Sequence, residues 1–212
     1  MQDQALRTNW IKKHIDKRDV TDKCRKCGGR DESVHHLIAE CEKMAQKQYK
    51  QRHDNIARIV HLELCQKFGL IGKMKWYNHK PEDVMENDRV KILWDFNIQT
   101  DHVIQHRRPD IVIVYKNERR CHIVDVAVPG DKRVELKEQE KIEKYGDLRR
   151  EIKKIWKLKY VGVIPIIVGA LGIVSNNLKD WLEKMNLKVD LEILQKAALL
   201  GTAKLLRNVL ET

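Results

Sequence analysis

Two carboxylates stand where a buried strand has least use for them. In "HRRPDIVIVYKNERRCHIVDVAVPG", residues 106–130, Asp110 heads the apolar run 111–114 and Asp125 interrupts the run 123–128. Two apolar runs joined by a charged turn predict neighbouring strands. On such strands the two acids converge at one edge of the sheet and repel each other. A divalent cation between them relieves the repulsion, and hard oxygen donors select magnesium or manganese. Such an ion polarises a phosphoryl oxygen and lowers the pKa of bound water. The plainer alternative is a strand cap at Asp110 and a salt bridge at Asp125. Pro109 fixes the backbone ahead of Asp110 and His106-Arg107-Arg108 adds positive charge beside it, which favours the metal reading.

A second set of residues reads as soft-metal chemistry. "CRKCGGRDESVHHLIAEC", residues 24–41, places Cys24 and Cys27 as C-x2-C, then a Gly28-Gly29 turn, then His36 and Cys41 as H-x4-C. Thiol and imidazole donors in this order suit tetrahedral zinc. Glycine permits the left-handed backbone with which such a turn aims its amides at the sulfurs. His35 is the rival to His36, which has the more usual spacing to Cys41. The alternative is a set of reduced buried thiols beside a surface histidine. So small a unit closes all four ligand positions, making its zinc structural and its role binding. Lys23, Arg25, Lys26 and Arg30 surround the turn with positive charge.

Composition sets the frame for both. The 212 residues are enough for one medium domain with a real core and a small appendage. Lys and Arg number 42 against 31 Asp and Glu, a formal net charge of +11 that points to a polyanionic partner. The N-terminal "MQDQALRTNWIKKHIDKRD" has no apolar signal core, and the longest apolar run, "YVGVIPIIVGALGIV", is too short to span a bilayer and carries Gly162, Pro165 and Gly169. The expectation is a soluble intracellular chain with reduced thiols and no membrane partner. Cys65 and Cys121, with no ligand partners nearby in sequence, read as packed thiols.

The positioning elements follow from periodicity. Residues 1–20 read as helical, and "EKMAQKQYKQRHDNIARIVHLELCQKFG" has apolar residues at helical spacing up to Gly69. "KWYNHKPEDVMENDRV" reads as irregular with a short helix after Pro81, and "KILWDFNIQTDHVI" as a strand alternating through Ile92, Trp94, Phe96 and Ile98. The two acid-bearing strands come next. One long helix, "RVELKEQEKIEKYGDLRREIKKIWKL", then leads to an apolar strand at 161–168, and two helices close the chain. Helix, three strands, helix, strand, helix predicts an α/β fold with a central mixed sheet flanked by helices. The predicted division is an N-terminal helix with its CCHC knuckle at 1–45 and the sheet domain at 46–212. "LEILQKAALLGTAKLLRNVL" is amphipathic through Leu191, Leu194, Ala198, Gly201 and Leu205, a stripe that reads as core before docking surface.

"RRPD" followed at a distance by "IVDVAVPG" resembles the PD-(D/E)xK nuclease signature. With the upstream knuckle and the downstream "EKIEKYGDLRREI" and "LQKAALLGTAKLLRNVL", nearly the whole chain is similar to the C-terminal region of site-specific non-LTR retrotransposon polyproteins. There a zinc knuckle precedes a restriction-like endonuclease. The resemblance implies a nuclear, magnesium- or manganese-dependent enzyme with one structural zinc. It would nick target DNA and leave a 3′-hydroxyl to prime reverse transcription, with the element's RNA as a further partner. No reverse-transcriptase signature is present, which leads to the expectation of a piece of a longer polyprotein, a degenerate copy or a retained remnant.

Where the generic motif has lysine, two residues after the second acid, this chain has Ala127. The following helix has an apolar stripe at Tyr145, Leu148, Ile152 and Ile155, and extending it back four residues reaches Lys141. A lysine on a sheet-facing stripe is costly unless it meets carboxylate or phosphate, so Lys141 is the expected catalytic lysine, with Lys144 as rival. Glu82, Glu86 and Asp95 are candidates for a third metal ligand, with Glu86 preferred. Arg107, Arg108 and Lys132 are expected to hold the DNA backbone. A silent nucleic-acid-binding module is the alternative function.

Overall fold

β-branched residues favour pleated, half-buried surfaces, and here they build a five-stranded sheet. The computed structural model describes residues 6–211. The strands are β1 (Val84–Glu86), β2 (Val90–Trp94), β3 (Ile111–Tyr115), β4 (Arg120–Ala127) and β5 (Tyr160–Ile167), ordered β1-β2-β3-β4-β5. The first four form an antiparallel meander, and β5 pairs parallel with β4. The crossover from β4 to β5 carries α3 (Val134–Lys144) and α4 (Gly146–Ile155). Earlier come α1 (Asn9–His14) and α2 (Lys50–Lys67), and later α5 (Leu178–Lys184) and α6 (Leu191–Leu210). The expected α/β class with a mixed sheet flanked by helices is what the chain forms.

Both faces of the sheet are covered. Ile92, Ile111, Ile113, Val124, Val126, Ile164 and Ile166 pack on one face against Ile56, Val60 and Leu64 of α2 and Leu194 and Ala198 of α6. Val112, Ile123, Val161 and Val163 pack on the other against Tyr145, Leu148 and Ile152. Pro165 sits in β5, opposite Asp125; a residue with no amide is tolerated there because β5 is an edge strand. The stripe of α6 is core, as its pattern suggests. Among the described residues no helix is long and apolar enough to cross a membrane.

Several boundaries differ from expectation, each for a local reason. The segment after Pro81 is not a short helix but the β1–β2 hairpin. The side-chain oxygen of Asn87 accepts from the amides of Arg89 and Val90 at 2.9 and 3.0 Å and closes its turn. The β2 strand stops at Trp94 because Asp95 adopts φ +44°, a left-handed conformation that Asp tolerates better than most residues. The single long helix is two, interrupted at Tyr145 just ahead of Gly146, a weak helix former. The N-terminal helix is confined to α1, with Thr8 as its cap; residues 1–5 of the expected helix lie outside the described residues.

Arg52 ties the layers together. It is 1% exposed, and its guanidinium donates to Thr202 Oγ1 of α6 at 2.8 Å, to the Ile38 carbonyl at 2.8 Å and to the Val128 carbonyl past β4 at 3.2 Å. Its side chain passes so close to α6 that a Cβ on Gly201 would lie 2.7 Å from Arg52 Cγ. Alanine ordinarily stabilises a helix relative to glycine by about 1 kcal/mol. Here Gly201→Ala should instead destabilise the chain by about 1–3 kcal/mol through overpacking. Urea unfolding gives the answer, and a stabilised variant would show that Arg52 is not clamped.

Candidate functional site

The knuckle forms from a turn and a short helix. Cys24 and Cys27 flank a turn in which the Gly28 amide donates to the Cys24 carbonyl at 2.8 Å and Gly28 takes φ +69°. His36 and Cys41 bracket the helical turn His36–Glu40. Cys24 Sγ and Cys41 Sγ are 3.9 Å apart, Cys27 Sγ and His36 Nε2 are 3.3 Å apart, and all four donor atoms lie within 4.8 Å of one another. Zinc–sulfur bonds of 2.3 Å at tetrahedral angles place sulfurs about 3.8 Å apart. The cluster can therefore hold a zinc ion. Amides of Arg30 and Gly29 pull the Cys27 thiol down to about 6, while burial and the neighbouring Cys24 push Cys41 up to about 11. His35 is exposed and faces Glu40 at 3.2 Å, outside the cluster.

The knuckle is not a free appendage. Cys24, Leu37, Cys41 and Met44 share a buried cluster with Leu205 and Val209 of α6. Tyr49 donates its hydroxyl to the Leu37 carbonyl at 2.8 Å and accepts from the Cys41 amide at 3.0 Å. Glu32, fully buried, accepts from Arg25 and from the Asn9 amide at the start of α1. Arg25, expected to face nucleic acid, is half-buried and pairs with Glu32, a carboxylate that would be costly to bury unpaired. Arg30 pairs with Glu40 at the surface. Lys26 lies half-buried beside the turn, its amide 3.4 Å from Cys24 Sγ.

The second constellation gathers at the ends of β3 and β4. Extending the β3–β4 register by one residue sets Asp110 opposite Asp125. Asp125, 2% exposed, meets Lys141 and the Tyr145 hydroxyl from the crossover, with Lys144 at 3.6 Å. The break between α3 and α4 delivers that hydroxyl. Burial and the like charge of Lys141 draw the Lys144 pKa down, while burial and Asp125 push Tyr145 up. Lys141 and Lys144 thus both reach the second acid. Asp110 Oδ2 accepts from the Val126 amide at 2.6 Å and faces His53 Nε2 of α2 at 3.1 Å. Asp54 Oδ1 lies 3.0 Å from the other ring nitrogen of His53. Burial disfavours charge on His53, yet these two acids push its pKa up to about 10. Burial likewise opposes charge on Asp110, but His53, the Val126 amide and Lys141 bring it below its ordinary value.

An open cavity of about 220 Å³ lies over this end of the sheet, lined by Lys50, His53, Asp54, Trp94, Asp95 and Asp110. Asp95 thus joins Asp110, and it also pairs with Arg108 at 2.8 Å. Glu86 does not. It sits exposed on β1 rather than in a helix and pairs with Lys116 at 2.9 Å. Its partner Lys91 aligns with Val114, four residues along β3 from Asp110, about 13 Å at a strand rise. Arg107 is half-buried, and Lys132 is exposed on the turn Asp131–Arg133. His53 and Asp54 are the residues that sequence reasoning overlooked. His53 continues the α2 stripe through Ala57, Val60 and Leu64, a polar residue on an apolar face just as Lys141 is.

No protein-family model matches the chain, and no curated protein matches it either.

Two expectations follow. Purified protein should carry one zinc per chain, and Cys41→Ser should raise amide exchange across residues 22–43 and onward into α6 around Leu205 and Val209, leaving β3 and β4 protected. Zinc well below one equivalent with reduced thiols would remove the site. The His53–Asp110 pair should give stability that is complete between the ordinary values of 3.8 for Asp and 6.5 for His. It weakens as pH falls through the depressed Asp110 pKa and disappears as pH rises through about 10. Proton NMR of the imidazole should show no titration from pH 6 to 8, and a midpoint near 6.5 would break the pair.

Proposed function

We propose that the chain is a metal-dependent DNA endonuclease with a restriction-like core, a nuclear protein that nicks target DNA for retrotransposon insertion. The observation that carries this reading is the meeting of Asp110, Asp125 and Lys141 at one end of adjacent strands. A buried carboxylate there faces lysines from the next helix instead of a structural arginine. The net charge of +11 supports a polyanionic substrate.

The donor chemistry suits a hard cation. Both hydrogen bonds to Asp110 fall on one oxygen, Oδ2, and Asp110 lines an open cavity with Asp95. Asp110 and Asp125 would hold magnesium or manganese, which when bound supplies charge neutralisation at the scissile phosphate and acidifies a water. Lys141 stabilises negative charge on the attacking oxygen or on the phosphorane. Water adds to phosphorus, the P–O3′ bond breaks, and the products are a 5′-phosphate and the 3′-hydroxyl that primes reverse transcription. His53, held charged by its two acids, keeps Asp110 ionised and oriented. Arg107, Arg108 and Lys132 grip the backbone, while the knuckle with Lys26 contributes binding to DNA or to the element's RNA.

A silent binding module is the second reading, and one observation favours it. Asp125 already has Lys141 and Tyr145 on its oxygens, so a cation must displace a lysine to reach it. Both readings require binding that weakens steeply with salt; turnover separates them. Supercoiled plasmid should be nicked in magnesium or manganese and left intact in chelator. Asp110→Ala should abolish nicking without weakening binding, and Lys141→Ala should slow it by about 10²–10³. A wild-type chain that binds plasmid but leaves it supercoiled with either ion would make the silent reading the correct one.

A further inference from the structure

One stretch of α2 separates two cavities of different chemistry. Lys50, His53, Asp54 and Ala57 face the carboxylate cavity. Gln51, Arg52 and Asn55 of α2, with Gln48 from the helical turn Ala45–Tyr49 just before it, line a second cavity of about 130 Å³. Trp76 and Lys204 line it from the 3₁₀ turn Trp76–Asn78 and from α6. An enclosed cavity of about 150 Å³ takes up a benzene-sized ring; this one is open on one side, so a planar base can enter it edge-first.

Its polar lining selects the kind of ring. The side-chain amides of Gln51 and Asn55 on its wall each carry a donor and an acceptor. A phosphate or carboxylate can only accept, so it would use the donors of those amides and leave their oxygens unserved. A nucleobase edge offers donors and acceptors side by side, and side-chain amides such as those of Gln51 and Asn55 are what read such edges. Indole faces stack on bases of any sequence, and Lys204 supplies positive charge for the adjoining phosphate.

We propose that this cleft receives one unpaired nucleobase of the bound strand, stacked on Trp76 and read by Gln51 and Asn55. The proposal rests on the nucleic-acid function above and adds a place where the protein senses single-stranded character. The cleft and the carboxylate cavity stand on opposite flanks of α2, about 10 Å apart, the width of one helix. A strand whose phosphate lies at Asp110 reaches the cleft by crossing that helix. An unpaired base beside the cut requires the duplex to open there, and a base that is already unpaired enters at the lowest cost.

The test uses the full zinc-loaded chain and short single-stranded DNA carrying 2-aminopurine at successive positions. Binding should quench the probe at one register. Trp76→Ala and Asn55→Leu should remove that quenching and weaken single-strand binding roughly tenfold, while Trp76→Phe retains most of both. Duplex binding should change little. Asn55→Leu keeps the helix and its side-chain volume, so it remains informative if Trp76→Ala unfolds. Variants that quench and bind as the wild type does would show that no base enters the cleft, with the nucleic-acid reading left standing. A wild-type chain that binds neither single-stranded nor duplex DNA would overturn both.

Discussion

A buried guanidinium held by carbonyl and hydroxyl oxygens organises this molecule. Arg52 satisfies its charge with carbonyl and hydroxyl oxygens, and burial lowers its pKa only to about 10, so it stays charged at neutral pH. Each acceptor belongs to a different part of the fold: Ile38 in the knuckle, Val128 where β4 ends, Thr202 in α6. Thr202 in turn donates to the Ala170 carbonyl just past β5 at 2.7 Å. Removing any acceptor leaves a charge in a dry interior, a far larger penalty than losing one neutral hydrogen bond. Hence the knuckle, the end of the sheet and the last helix are held in one arrangement.

Charge alternates across the carboxylate site. From α2 to the crossover the order is Asp54, His53, Asp110, then Asp125 between Lys141 and Tyr145. Neither acid faces the other without a cation nearby, and this is how two carboxylates persist on adjacent buried strands. The same arrangement gives the two acids different character. Asp110 borders an open cavity, whereas Asp125 is enclosed by side chains from the crossover. Any ligand that engages Asp125 must rearrange lysines, and any ligand at Asp110 meets an acid kept ionised by His53.

What the sequence disclosed depended on whether the partners share local spacing. The zinc donors lie within one short segment, and Lys141 sits on a stripe whose period reveals it. Asp110 and Asp125 were legible because each breaks an apolar run. The His53–Asp110 contact joins residues 57 apart, and only the stripe on α2 hinted at it. Asn87 and Asp95 decided strand ends through side-chain and backbone conformations that a hydrophobic pattern does not encode. Arg25 looked like a surface cation because its partner, Glu32, is a charged residue in a charged segment, and nothing in its spacing marks it as buried.

The two borders of the sheet set how this protein can meet another chain. On one side β1 is only three residues long. On the other, β5 places Pro165, which has no amide to offer, midway along the outermost strand. Neither border presents the long row of unpaired backbone groups that templates strand addition. The fold is thereby protected from edge-to-edge growth despite its runs of isoleucine and valine. What the fold offers to its surroundings is therefore side chains and surface charge on its helices and loops.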